Sequence, residues 1–236
     1  MTFGSVFGRT FSPTFQPSSQ AVGGEVSVDI TVTAGVGADT YVLRETDGHP
    51  ANNCNYGAAT TLRTRYITTN YVKKILFRFD LSSIPSSATI ISATLKMYSS
   101  GATQAQTYTI YKITDANGDW VEGTGNGTAV SGAPCWNYKA YHATTPTSWA
   151  GSAGLSTAGT DYINTVLATA TLGSIDDTGL ISIPFGASGL TVLQDWFGDA
   201  SNNGLLLITS GADEYYHSGE STTESYRPVL SVTYSS

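Results

Sequence analysis

The sequence predicts an all-β protein, a two-sheet antiparallel β-sandwich preceded by an extended N-terminal arm. Apolar and polar residues alternate over several short runs, and a period of two marks a half-buried strand. Asp47-Gly48, Asn117-Gly118, Asn126-Gly127 and Asn203-Gly204 fall between those runs, where tight turns require them. Charged residues make up 12% of the chain, about half the usual share. Gly, Ser, Thr, Ala and Tyr replace them, a composition suited to short strands, turns and a hydroxyl-rich surface.

The arm comes first. The repeat FGSV, FGRT, FSPT, FQPS spaces Phe3, Phe7, Phe11 and Phe15 evenly. Gly4, Gly8, Pro13 and Pro17 argue against a helix, which leaves an extended or polyproline-like path. Such a path cannot bury four rings within itself, and exposed rings would form a large apolar liability. Residues 1–24 are therefore expected to be a docking arm whose rings fill pockets on another chain or on a neighbouring copy. The alternative is a disordered leader.

Residues 25–37 read as a strand and a joint. Glu25–Thr33 alternates, with Val26, Val28, Ile30 and Val32 on one side. It either starts the sandwich or adds to a sheet of another subunit. From residue 38 onward, strands are predicted at Thr40–Leu43, Leu62–Tyr66, Lys73–Phe79, Ile90–Tyr98, Thr107–Ile113, Leu180–Pro184, Gly204–Thr209 and Val229–Tyr234. Helix is predicted at Gly189–Ala200, where Leu190, Leu193, Trp196 and Phe197 share a face, and as a short turn at Asp161–Ala170. The stretch Asp119–Gly159 is too long for a hairpin and is expected to cross one face of the sandwich.

Four blocks carry a family resemblance. They are ADTYV (Ala38–Val42) with Asn55–Gly57; FDLSSIPSSATIISATLKMY (Phe79–Tyr98); DWVEGTGNG (Asp119–Gly127) followed by Trp136 and Trp149; and the carboxyl end from Tyr215 to Tyr234. Their succession over residues 38–236 resembles the DNRLRE-type domain, a module related to disaggregatase-associated and carbohydrate-binding domains. The resemblance implies a jelly-roll topology, surface attachment or glycan contact, and no particular reaction. Within the second block, Phe79 and Leu81 are expected to face a core while Asp80 and Ser82 cap a turn. Arg227 is expected to clamp Glu220 or Glu224.

The net charge of −7 argues against binding a nucleic-acid backbone, and the few Lys and Arg residues disfavour anionic lipid. No apolar run reaches the roughly 18 residues of a membrane span. Glycines and prolines also interrupt every candidate signal-peptide core. Cys54 and Cys135 are the only cysteines. They could pair, although a cytoplasmic assembly would keep them reduced.

Catalytic chemistry finds little footing, and no enzyme is expected. His49, His142 and His217 lack a nucleophilic partner motif. The neighbours Asp176-Asp177 and Asp213-Glu214 read as solvated loop acids, not as a hydrolytic pair held across a cleft. Trp136, Tyr138, Tyr141 and Trp149 are candidate glycan-binding residues, since an aromatic face can stack on a sugar ring; the competing reading is that they anchor a loop. Trp120 and the Tyr215-Tyr216-His217 group carry the same two readings. No cofactor is required. Jelly rolls often carry a structural Ca²⁺, and Asp39, Asp80, Asp213 and Glu220 are oxygen donors near strand ends. Asn126-Gly127-Thr128 fits a glycosylation acceptor, which matters only in a eukaryotic secretory pathway.

A surface module with no secretion signal and an arm built to dock leads to the expectation of a non-enzymatic virion surface protein. It would be a phage capsid decoration, head-fibre or tail-surface component held to a capsid protein through residues 1–24. The alternative is a secreted carbohydrate-binding or adhesion module of a bacterial or archaeal cell surface.

Overall fold

The computed structural model describes residues 24–33, 35–198 and 202–235. Phe3, Phe7, Phe11 and Phe15, and with them the docking expectation, lie outside the described residues. The described residues form thirteen strands in chain order. They are β1 (Glu25–Thr31), β2 (Ala38–Arg44), β3 (Thr61–Thr68), β4 (Tyr71–Arg78), β5 (Thr89–Tyr98), β6 (Gln106–Lys112) and β7 (Tyr138–Ala140). After them come β8 (Thr147–Ser148), β9 (Ala168–Leu172), β10 (Leu180–Pro184), β11 (Leu205–Thr209), β12 (Glu214–His217) and β13 (Val229–Ser235). An α-helix, α1 (Ala187–Gly198), precedes β11. No described helix is long and apolar enough to cross a membrane.

Every strand pairing is antiparallel. The smaller sheet has the order β1-β13-β5-β10; the larger runs β12-β3-β4-β11-β6-β9, with β2 along the other side of β4. The two curl over one core as a jelly-roll sandwich. β1 pairs with β13 in unbroken register from Glu25↔Ser235 to Thr31↔Val229, so it starts this sandwich.

The core follows from alternation. Leu95 and Met97 of β5, Leu230 and Val232 of β13, and Ile181 and Ile183 of β10 meet Ile75 and Phe77 of β4, Leu205 and Leu207 of β11, and Tyr108 and Ile110 of β6. Phe79 and Leu81 are buried in the same core, and the Asp80 carboxylate accepts the Ser82 N–H, as the turn chemistry requires. Leu193 and Trp196 of α1 close the core at this end. Gln194 of the helix caps the start of β5, accepting from Ile90 N and donating to Ala88 O, each at 2.8 Å.

Two local expectations change. Asp161–Ala170 is not helical: Tyr162 bridges to Ile113 and Ala158, and β9 begins at Ala168. Asp161 is a buried hub whose carboxylate accepts the N–H groups of Gly151, Ser152 and Thr157 and the Asn117 amide. Holding a loop in this way competes with helix formation. The Asp213-Glu214 pair is not solvated. Asp213 meets Arg63 at 2.6 Å and Lys73 at 2.5 Å, and buried Glu214 accepts the Gln104 N–H. Arg227 takes Glu224 as its carboxylate, at 3.6 Å. Cys54 and Cys135 are free thiols.

Candidate functional site

The outer face of the larger sheet carries a second apolar layer. Val72 and Leu76 of β4, Ala38 and Val42 of β2 and Leu206 of β11 point away from the inter-sheet core. The segment 113–167 folds back over them, as expected for the long Asp119–Gly159 stretch. Trp120, Trp136, Trp149 and Leu155 hold it there. The Trp120 indole N–H donates to Asn203 O at 2.9 Å, and the Arg78 guanidinium lies 4.5 Å from its ring. The Trp149 N–H donates to the carbonyls of Cys135 and Trp136. The Lys74 ammonium reaches through the layer to the carbonyls of Gly154 and Leu155, each at 2.9 Å. Its burial pulls its pKa down to about 8.

These contacts favour the loop-anchoring reading of Trp136 and Trp149 over sugar stacking on their ring faces. They are 5% and 4% exposed, because a segment this long needs apolar anchors of its own to stay on the sheet. Tyr138 and Tyr141 sit side by side with ring centroids 6.3 Å apart, both half-buried. Of the tyrosine-histidine group, Tyr216 is buried in the core, Tyr215 lies exposed under the Arg63 guanidinium, and His217 packs on Tyr226.

The covering segment leaves part of the outer face open. Thr107, Thr109 and Tyr111 of β6 and Ile208 of β11 alternate outward there, opposite the core residues of their own strands. Three hollows adjoin along this uncovered surface, of about 270, 390 and 290 Å³. The first and second share Tyr66 and Ile208; the second and third share Arg44, Trp136 and Ser156. Together they make a trench. Tyr66, 48% exposed, stands where β3 pairs with Val72 at the hairpin. Tyr111 packs on Tyr162 at 4.8 Å, and Trp136 contributes an edge although most of its ring is buried. The Arg44 guanidinium lies 5.9 Å from the Trp136 ring, and its two amino groups bond Thr69 O and Asp47. Aromatic walls, threonine and serine hydroxyls and one guanidinium are the groups that grip a sugar, through its apolar ring face and its polar edge.

Of these residues only Trp136 stands among the sequence candidates. Tyr111 alternates outward in the run TYTIYK, a signal that periodicity could have supplied. Tyr66 and Tyr162 had none. Tyr138, Tyr141 and Trp149 do not line the three hollows.

The predicted oxygen donors separate into three places. Asp80 is exposed at its turn, and Asp213 is held by cations. Asp39 at the start of β2 and Glu220 in the β12–β13 loop meet, and Glu122 joins them from the covering segment. Burial, then the Glu220 charge, pushes the Asp39 carboxyl well above the usual carboxylate range, although the Gly219 N–H opposes the rise. Burial raises Glu122 to about 7 against the opposing Asp39 N–H, and it raises Glu220 as well.

Comparison with known proteins adds one match. Residues 30–139 match the profile of carbohydrate-binding module family 96. That span runs from the end of β1 into β7 and includes Arg44, Tyr66, Tyr111 and Trp136 of the trench. No curated protein matches the chain. The match, which spans less than half of the chain, supports a carbohydrate-binding-module-like domain. The match says nothing of the DNRLRE type or of a virion.

Proposed function

We propose that this protein is a carbohydrate-binding module that holds a glycan along the trench on the outer face of the larger sheet, without turning it over. The observation that carries the reading is the run of adjoining hollows walled by Tyr66, Tyr111, Tyr162 and Trp136, with Arg44 between them. Asp47 is the one carboxylate among the described residues lining them. Glycoside hydrolysis ordinarily needs two carboxyl groups facing each other across the sugar. A module of this kind works at a cell surface or outside the cell, where its polysaccharide is.

The test is retention on immobilised polysaccharides and a glycan array, with variants that separate binding from folding. Tyr66→Ala and Tyr111→Ala should lower retention at least about tenfold while stability changes by less than about 1 kcal/mol. Trp149→Ala should instead destabilise by about 3–5 kcal/mol, as expected of a buried anchor. Unchanged retention in both tyrosine variants would reject the trench as the site.

A second reading concerns the phenylalanine repeat at residues 3–15, the feature that favours anchoring of this module to a larger assembly such as a virion. Both readings hold together if the arm attaches and the trench binds.

A further inference from the structure

We infer that Asp39, Glu122 and Glu220 form a binding site for a divalent cation of the calcium class, which ties β2, the covering segment and the β12–β13 loop to one point.

The geometry is that of a site. One carboxylate oxygen from each residue lies within 4.8 Å of the others. Among the described residues, no Lys or Arg forms an ion pair with any of the three. Asp39 is 1% exposed. Its Oδ2 accepts the Gly219 N–H at 2.7 Å, while its Oδ1 has no partner; Glu220 Oε2 is likewise buried and unpartnered. The carboxylates are also held in place. The Asp39 N–H donates to Glu122 Oε1 at 2.7 Å, and Glu220 N donates to Ser218 Oγ, which in turn donates to Ala59 O. Gly219 runs so close that a Cβ there would stand 3.3 Å from Asp39 Oδ2.

Arg227 tempers the charge of Glu220 from beyond ion-pair distance, but buried carboxylates facing one another with no cation paired to them are costly, and such groups are normally paired or coordinate a metal. The raised proton affinities of all three express that cost in the absence of an ion. The donor set selects the metal. An all-oxygen carboxylate site suits Ca²⁺, which takes six to eight oxygens in flexible geometry, and lacks the thiolate or imidazole that zinc favours. Mg²⁺ demands a stricter octahedron and dehydrates reluctantly.

Calorimetric titration of the full chain, after dialysis against a chelator, tests the inference. CaCl₂ should bind saturably at one site with a dissociation constant of about 1 mM or tighter, the range of extracellular calcium modules. At about one hundred times that constant the melting temperature should rise by roughly 5–10 °C. MgCl₂ should do much less. Glu122→Gln is nearly isosteric and removes one repelling charge, so it should stay folded by circular dichroism and lose the calcium response. Asp80→Asn should keep it. Should Glu122→Gln fail to fold, Glu220→Gln provides the same comparison. The inference is overturned if the wild type shows neither saturable heat nor a melting shift, or if the folded Glu122→Gln or Glu220→Gln variant responds as the wild type does. A carboxylate cluster held only by shared protons would give the first of these results.

Discussion

Lys74 shows how one residue ties the outer layer to the sheet at a cost that pH can remove. Its ammonium has two carbonyls and the Ser156 hydroxyl as partners, yet burial lowers its pKa to about 8. In the unfolded chain the same group titrates near 10.4. Between these values the unfolded chain binds the extra proton, so this contribution to stability rises with pH there; below about pH 8 the full cost of burying the charge applies. Cys135, raised to about 11 by burial, and the buried phenols of Tyr41 and Tyr216, also raised by burial, act in the opposite sense at higher pH. The expected outcome is therefore a difference. Urea midpoints of wild type and Lys74→Met should diverge in favour of the wild type between about pH 7.5 and pH 9.5. Parallel curves would show that the buried amine keeps its ordinary affinity for the proton.

The covering segment is the element on which the trench depends. It has little regular structure of its own, a short β7–β8 hairpin and a few turns, so its order comes from anchors. Gly154 is among the tightest of these. Its φ is +69°, in the left-handed region, and a Cβ there would collide with the Trp136 ring. Gly154→Ala should therefore cost more than the ~1 kcal/mol expected for backbone strain alone. Hydrogen exchange should locate the loss. Amides of residues 132–162 should exchange faster, while those of β5 and β13 keep their protection. Uniform acceleration across both sheets would mean that the segment and the sandwich unfold as one unit.

At the scale of the whole molecule, the sandwich described from Gly24 onward closes a continuous core from both sheets and α1. Residues 2–17 lie outside the described residues. Their deletion should leave the melting temperature within about 2 °C of the full chain, with glycan retention intact. If the arm serves attachment, the same deletion should abolish incorporation into the assembly. A large fall in melting temperature would instead show that the arm packs on its own sandwich.

Much of the architecture was legible in the chain because strand periodicity is local. The runs Lys73–Phe79, Ile90–Tyr98 and Val229–Tyr234 alternate by themselves, and Gly189–Ala200 shows its helical face without reference to any partner. The short β7, β8 and β12 carry too few residues for a period to register, and Asp161–Ala170 looks helical until its first residue is drawn into a buried loop hub. The site was decided in three dimensions. Alternation shows that β4, β6 and β11 have two faces, but not which stretch of the outer face segment 113–167 covers. That choice buries Trp149, leaves only an edge of Trp136, exposes Tyr66 and leaves Tyr111 half-buried. The acidic cluster follows the same rule. Glu122 reaches Asp39 across 83 residues and Gly219 reaches it across 180, and no local pattern encodes contacts at that separation. Their meeting follows from the closing of the sandwich, which places the start of β2, the covering segment and the β12–β13 loop at one end of the sheets.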